Sequence, residues 1–141
     1  MRKVHIIGIF LVTVLLVLGA CAPAVTSEKE AAPDIQITYI FYDGLVPRAE
    51  SDEYVEITNL GDQPQDLAHW ELKDISEGYP SFTFPSYIMA PGKSIRVYTN
   101  ESHLEWGGFS FEYGRAIWSN NEPDVAVLYN RQGKEVSRKS Y

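Results

Sequence analysis

Past its first twenty residues, this 141-residue chain offers two histidines, a scatter of carboxylates and one aromatic loop as groups that could do chemistry. Acid–base catalysis needs a histidine or carboxylate held within hydrogen-bond reach of the reacting group. His69 stands beside Trp70 in what reads as a strand, so it points to the opposite, solvent face. His103 lies in a polar loop between Glu101 and Glu105. A zinc site takes three or four histidine, cysteine or carboxylate ligands, and no second histidine or cysteine is near it in sequence. Asp52, Glu53 and Asp62 flank one strand, and Glu122 and Asp124 flank a turn. Calcium takes six to eight oxygens, usually from an ordered acidic loop that neither group forms. These five acids read as solvated turn residues. Glu56 differs: it sits mid-strand, shares a face with Tyr54 and Thr58, and can pair across a sheet with Arg96 or Lys73. Neither a nucleophile elbow nor a glycine-rich phosphate loop is present. The expectation is a chain without catalytic residues, metal ligands or cofactor.

Binding has one candidate. Trp106, Phe109, Phe111 and Tyr113 cluster beside Gly107-Gly108. Aromatic rings on a loop stack on sugars or fill a partner's groove. Phe109, Phe111 and Tyr113 also share strand parity, so they can equally form an edge strand facing a core. Trp70 and Trp118 read as core.

The elements that position these residues begin with an address. Arg2 and Lys3 precede an almost wholly apolar run over residues 4–18, and Gly19-Ala20 closes it. That order is a secretory signal peptide over residues 1–20. The run is short for a membrane span, which needs about 20 residues. Cys21 is the only cysteine, so no disulfide can form within the chain. Leu18-Gly19-Ala20-Cys21 resembles the lipobox of bacterial lipoproteins. The resemblance implies cleavage before Cys21, acylation of that residue by chains such as palmitate, and attachment to the cell membrane or outer membrane on its extracytoplasmic side. Each buried lipid CH₂ contributes about 0.8 kcal/mol, and stable anchoring takes more than one chain.

Cleavage leaves ten basic against nineteen acidic residues, a balance of −9. Phosphate backbones are held by Lys and Arg, so this acidity argues against a nucleic-acid partner. Residues 21–33 carry the lipidated cysteine and a stretch poor in large apolar groups, with two prolines and three charges after it. Such a segment cannot offset the entropy of ordering and reads as a flexible tether. Twelve residues of it reach about 20 Å end to end.

From residue 34 to 141 the pattern is β throughout. Ile35, Ile37, Tyr39 and Phe41 alternate with Gln36, Thr38, Ile40 and Tyr42. Over 53–59, Val55 and Ile57 point one way, and Tyr54, Glu56 and Thr58 the other. Further strands are expected around 69–74, 81–84, 94–99, 124–130 and from 135 onward, with loops or turns at 43–48, 76–80, 90–92 and 130–133. Ala90-Pro91-Gly92 fits a type II turn. Apolar residues on both faces of 124–130 place that strand centrally in a sheet. Seven or eight short strands at this spacing suggest a sandwich or barrel.

Three ordered pieces carry a second resemblance. They are Tyr54-Val55-Glu56-Ile57-Thr58-Asn59 with Trp70-Glu71-Leu72; Phe82-Thr83-Phe84-Pro85 with Met89-Ala90-Pro91-Gly92-Lys93-Ser94-Ile95-Arg96-Val97-Tyr98; and Trp118 to Leu128 with Gly133-Lys134-Glu135-Val136. Together they resemble the lamin tail domain, over about residues 35–141. Glu122-Pro123-Asp124 keeps that family's Asp and replaces the Gly often found before it. The resemblance implies an all-β, immunoglobulin-like β-sandwich. It further implies a non-catalytic binding or scaffolding module for a protein or glycan partner. The alternative is a cell-wall polymer hydrolase, or an accessory subunit of an extracellular enzyme, which needs two acids about 5–9 Å apart across a groove.

Overall fold

A computed structural model describes residues 34–78 and 80–141. The expected signal peptide, Cys21 and the tether over 21–33 lie outside these residues, as does Tyr79 of the expected 76–80 loop.

One sheet is built from β1 (Ile35–Phe41), β2 (Tyr54–Asn59), β7 (Ser94–Tyr98) and β8 (Phe109–Ser110), in that order. The second is built from β10 (Glu135–Ser140), β9 (Val125–Tyr129), β4 (Glu71–Asp74) and β5 (Ser81–Thr83). A short ribbon pairs β3 (Gln65–Asp66) with β6 (Ile88–Met89). All pairs are antiparallel except β7 and β8, where Val97 meets Phe109 in parallel register. The only helical element among the described residues is a 3₁₀ turn over Leu104–Trp106. Among the described residues ten strands stand where seven or eight were expected. The surplus comes from two-residue strands, too short to leave a periodic signal.

The two sheets close on one core. Ile37, Val55, Ile57, Ile95 and Val97 come from the first, and Leu72, Ala126 and Leu128 from the second. Trp70, Phe84 and Trp118 pack with them. β9 lies inside its sheet, between β10 and β4, as its two-faced apolar pattern requires. Ala90 accepts a hydrogen bond from the Lys93 amide at 3.1 Å, and Gly92 takes φ 70°, which completes the expected type II turn. The β9–β10 hairpin is closed by the Gly133 amide donating to the Asn130 carbonyl at 2.8 Å.

Strict alternation fails in β1. Ile35 and Ile37 are buried, but the pairing with β2 shifts between Ile37 and Tyr39. A bulge sets an extra residue opposite one partner and moves the pleat by one. Ile40 therefore enters the core, and Tyr39, expected on the face of Ile35, is exposed. Thr38, the extra residue, turns its hydroxyl to the Glu56 carboxylate at 3.2 Å and the Thr58 hydroxyl at 3.1 Å.

Both ends of β2 carry a buried polar residue. At its end, the Asn59 amide group donates to the carbonyls of Gln63 and Met89, each at 2.9 Å, and accepts from the Gly61 amide at 3.0 Å. The Leu60 amide donates to Asp34 at 2.8 Å, so the described chain enters the domain at this end. The start of β2 lies at the opposite end of the sandwich.

Leu128 has no exposed surface, whereas Ile88 is 69% exposed. Leu128→Ala is expected to lower unfolding stability by about 2–5 kcal/mol, and Ile88→Ser to change it by less than about 0.5 kcal/mol. Urea denaturation of the two variants checks the contrast.

Candidate functional site

At the start of β2 the row of inward positions runs Glu53, Val55, Ile57, Asn59, so Glu53 is aimed into the protein. Its Oε2 accepts hydrogen bonds from the Thr99 hydroxyl at 3.0 Å and the Ile117 amide at 2.9 Å. Its Oε1 is buried without a hydrogen-bond partner. Burial pushes the Glu53 carboxyl up to about 8, against the pull of the Ile117 amide and the Thr99 hydroxyl, and neighbouring Glu50 adds to the rise. Glu50 holds the other side of the loop: its carboxylate accepts from Asn120 Nδ2 at 3.0 and 3.1 Å. Asp52 closes residues 45–52 by accepting from the amides of Leu45 at 2.8 Å and Val46 at 3.0 Å.

The second sheet brings its own acids to this end. Asp74 and Asp124 are buried. Asp74 accepts from the Ser76 amide at 2.8 Å, and Asp124 from the Ser119 amide at 3.3 Å. Burial first, then the neighbouring Asp124 carboxyl, raises Asp74 to about 6, and its Oδ2 is buried without a hydrogen-bond partner. Tyr141 roofs the cluster. Its hydroxyl donates to the Ser119 carbonyl at 2.8 Å, and its ring stacks flat on Tyr42 at 4.0 Å. Burial and the charges of Asp124, Glu53 and Asp74 raise its phenol.

Glu53 and Asp124 are therefore not solvated turn acids as expected. The segment after β8 folds back over them and shuts out water. Asp74 was not singled out from sequence, although strand parity with buried Leu72 places it inward. Asp62 is exposed, and Asp52 and Glu122 do not join the buried group. Among the described residues no group of three His, Cys, Asp or Glu side chains is arranged to hold a metal. An open cleft of about 440 Å³ lies at this end, lined by Glu50, Glu77, Arg115, Trp118 and Asn120.

His69 stands in a turn at φ 64° and is exposed, because β4 begins only at Glu71. It had been expected on the strand itself. His103 lies between two carboxylates, Nε2 at 2.8 Å from Glu101 and Nδ1 at 3.3 Å from Glu105. The Glu101 hydrogen bond is the largest influence raising its pKa. Its ring also lies tilted against that of Tyr98, with centres 4.4 Å apart.

The four aromatic residues of the loop are not brought together. Phe109 is buried between the sheets, 5.3 Å from Phe84 and 5.1 Å from Tyr87. Phe111 and Tyr113 pack against the core from its margin. Trp106 goes the other way. Gly107 at φ 103° and Gly108 at φ 73° reverse the chain between Trp106 and Phe109, and a Cβ on Gly107 would meet the Phe109 ring at 2.6 Å.

Trp106 lands on the outer face of the first sheet, over Arg96. The guanidinium carbon is 3.6 Å from the Trp106 ring centre and 4.2 Å from that of Tyr54. Arg96 also reaches Glu56 Oε2, with Nη2 at 2.9 Å and Nε at 3.0 Å. Of the two cations open to Glu56, the register selects Arg96 directly opposite, while Lys73 pairs with Glu71 at 3.0 Å. Tyr54 further meets Tyr39 at 6.0 Å, Phe41 at 5.3 Å and Tyr98 at 5.2 Å. Tyr39, Tyr54 and Arg96 were not marked as a surface from sequence, because the bulge in β1 hides their common face.

A family model described as Lamin Tail Domain matches residues 28–141. No curated protein matches the chain.

Glu53 and Asp74 have folded-state values above their ordinary 4.5 and 3.8. The folded protein thus holds protons that the unfolded chain releases. Their stabilising contribution is full below about pH 4 and is lost as pH rises through about 6 and then about 8. The thermal midpoint is expected to fall by about 5 °C or more between pH 5 and pH 8.5. Glu53→Gln, which retains an acceptor for Thr99 and Ile117, is expected to flatten the upper part of that fall. Scanning calorimetry across this range checks both.

Proposed function

The chain belongs to the lamin tail domain family, and we propose, from that membership together with the features of residues 1–21, that it is a lipid-anchored, extracytoplasmic lipoprotein whose immunoglobulin-like β-sandwich binds a partner without catalysing a reaction. The observation that carries the reading is the outer face of β1, β2 and β7. There a stacked arginine, an ion pair and exposed or half-exposed rings form a surface that the domain's own core does not use. Large aromatic and arginine side chains are the groups that dominate binding interfaces.

The acids support the same reading. Glu53, Asp74 and Asp124 are closed inside the sandwich, where they accept hydrogen bonds from its own loops. A cell-wall hydrolase would need two acids facing each other across an open groove. Of the acids lining the cleft, Glu50 is already taken up by Asn120.

Support for the anchor comes from residues 1–21 alone. The basic start, the apolar run and Leu18-Gly19-Ala20-Cys21 are the features that support it. A chain entering at Asp34 joins the sandwich at the end away from Glu53. Cys21→Ser is expected to move the protein from the membrane fraction to the soluble fraction and to abolish partitioning into a detergent phase. Unchanged partitioning of that variant overturns the anchor.

A further inference from the structure

Resting on that binding-module reading, we propose that the outer face of β1, β2 and β7 is a platform for a neutral glycan strand. Three features of the face select this ligand class: its band of rings, its charge balance and its row of hydroxyls.

The rings form a continuous band across the sheet. Tyr39, 48% exposed, begins it on β1. Tyr54 continues it on β2, the Arg96 guanidinium on β7, and Trp106 ends it. Strands lie about 4.8 Å apart, so β1 to β7 spans about 10 Å before Trp106 is counted. Tyr39 and Tyr54 are tilted by 53° to each other and Tyr54 and Trp106 turn a face to Arg96, so the band is a shallow apolar strip with Tyr39 as its most open ring, not a deep pocket. The C–H face of a pyranose ring stacks on such a surface, whereas an apolar helix needs a groove to fill.

The charge balance excludes anionic ligands. Arg96 is the cation within the band, and Glu56 neutralises it at 2.9 Å. The chain after Ala20 carries −9 overall. Nucleic acid and anionic lipid surfaces are held by uncompensated Lys and Arg. A neutral polymer meets no such repulsion.

Beside the rings runs a chain of hydroxyls. Thr38 contacts Thr58 at 3.1 Å, and Thr58 contacts Ser94 at 2.8 Å. Thr38 also donates to Glu56 Oε1 at 3.2 Å. With Thr38 donating to Glu56, the protons of Thr58 and Ser94 are used along the row, and the hydroxyl oxygens offer their remaining lone pairs as acceptors to sugar hydroxyls. The arrangement is held before any ligand arrives. Arg96 is fixed by stacking on both sides and by two bonds to one carboxylate oxygen, so little side-chain freedom remains to be lost on binding.

The test uses the full-length protein in a detergent without a sugar headgroup, titrated with cellohexaose and with chitohexaose. Trp70 and Trp118 are only 3% and 1% exposed, so Trp106 is the tryptophan able to report contact. Saturable binding by calorimetry, with a change in tryptophan emission, is expected for at least one oligosaccharide. Tyr39→Ala and Trp106→Ala are each expected to weaken it about tenfold or more, with unfolding midpoints near that of the parent. Ile88→Ser, at an exposed apolar position outside the band, is expected to leave it unchanged. The glycan platform is overturned by no binding of either oligosaccharide, by binding indifferent to both aromatic substitutions, or by a dimer in light scattering that Tyr39→Ala dissolves. An envelope protein cross-linked to the parent but not to the two aromatic variants would overturn the glycan and leave the broader reading standing.

Discussion

A buried carboxyl at the head of a central strand is the constraint that most of this domain answers to. Glu53 leads the inward row of β2, and the chain must satisfy it there. The Thr99 hydroxyl comes from the end of β7, and the Ile117 amide from the segment that returns toward the second sheet. Two stretches distant in sequence are thereby pinned to one side chain. The Glu53 carbonyl adds a backbone bond from the Thr99 amide at 2.8 Å. Removing a partner from a buried polar group costs roughly 1–3 kcal/mol, which is comparable with deleting a buried aliphatic group. Asn59, at the other end of the row, meets the same demand fully, since its amide nitrogen and oxygen are all engaged. Glu53 leaves Oε1 bare, and a proton is the simplest way for such a group to remain inside.

The outward row of the same strand is organised by the opposite rule. Tyr54, Glu56 and Thr58 are half-buried and reach sideways to neighbouring strands instead of inward. Antiparallel register sets Glu56 opposite Arg96 and Tyr54 opposite Tyr98. Directly opposed side chains are the unit of stabilisation on a sheet surface. The bulge at Thr38 completes this face, because it moves Ile40 into the core and brings Tyr39 out beside Tyr54. One inserted residue thus assigns an aliphatic and an aromatic side chain to the environments that suit them.

Much of the core could be read from period-two patterns. Val55, Ile57, Trp70, Leu72 and Val127 are all buried, and the turn at Pro91-Gly92 forms where its residues require. What escaped was non-local. No local pattern marks the extra residue in β1, since Ile and Tyr both suit a strand. Two-residue strands such as β8 exist only because a neighbour pairs with them. Glu53 and Asp124 sit beside turn residues and look wet in sequence, yet a distant segment covers them. The parity argument that found Val55 and Ile57 extends to Glu53 and Asn59, and to Asp74 after Leu72. Charge alone argued against that extension. The aromatic loop was visible as a cluster, but its division into Trp106 outside and Phe109 inside depends on the left-handed pair Gly107-Gly108.

That division explains why position 96 carries arginine. The side chain must leave β7 on the outer face, bond Glu56 in its own plane, and present a flat surface to Tyr54 on one side and Trp106 on the other. A guanidinium does all three, because its donors lie in the plane and its faces are weakly hydrated. An ammonium in the same place would keep the charge and one bond to Glu56 but offer no face for either ring. Tyr54 and Trp106 would then lose the spacer that holds them apart in register with Tyr39. The order of the outer face therefore rests on the shape of one cation more than on its charge, as the row beneath it rests on a carboxyl that can give its charge up.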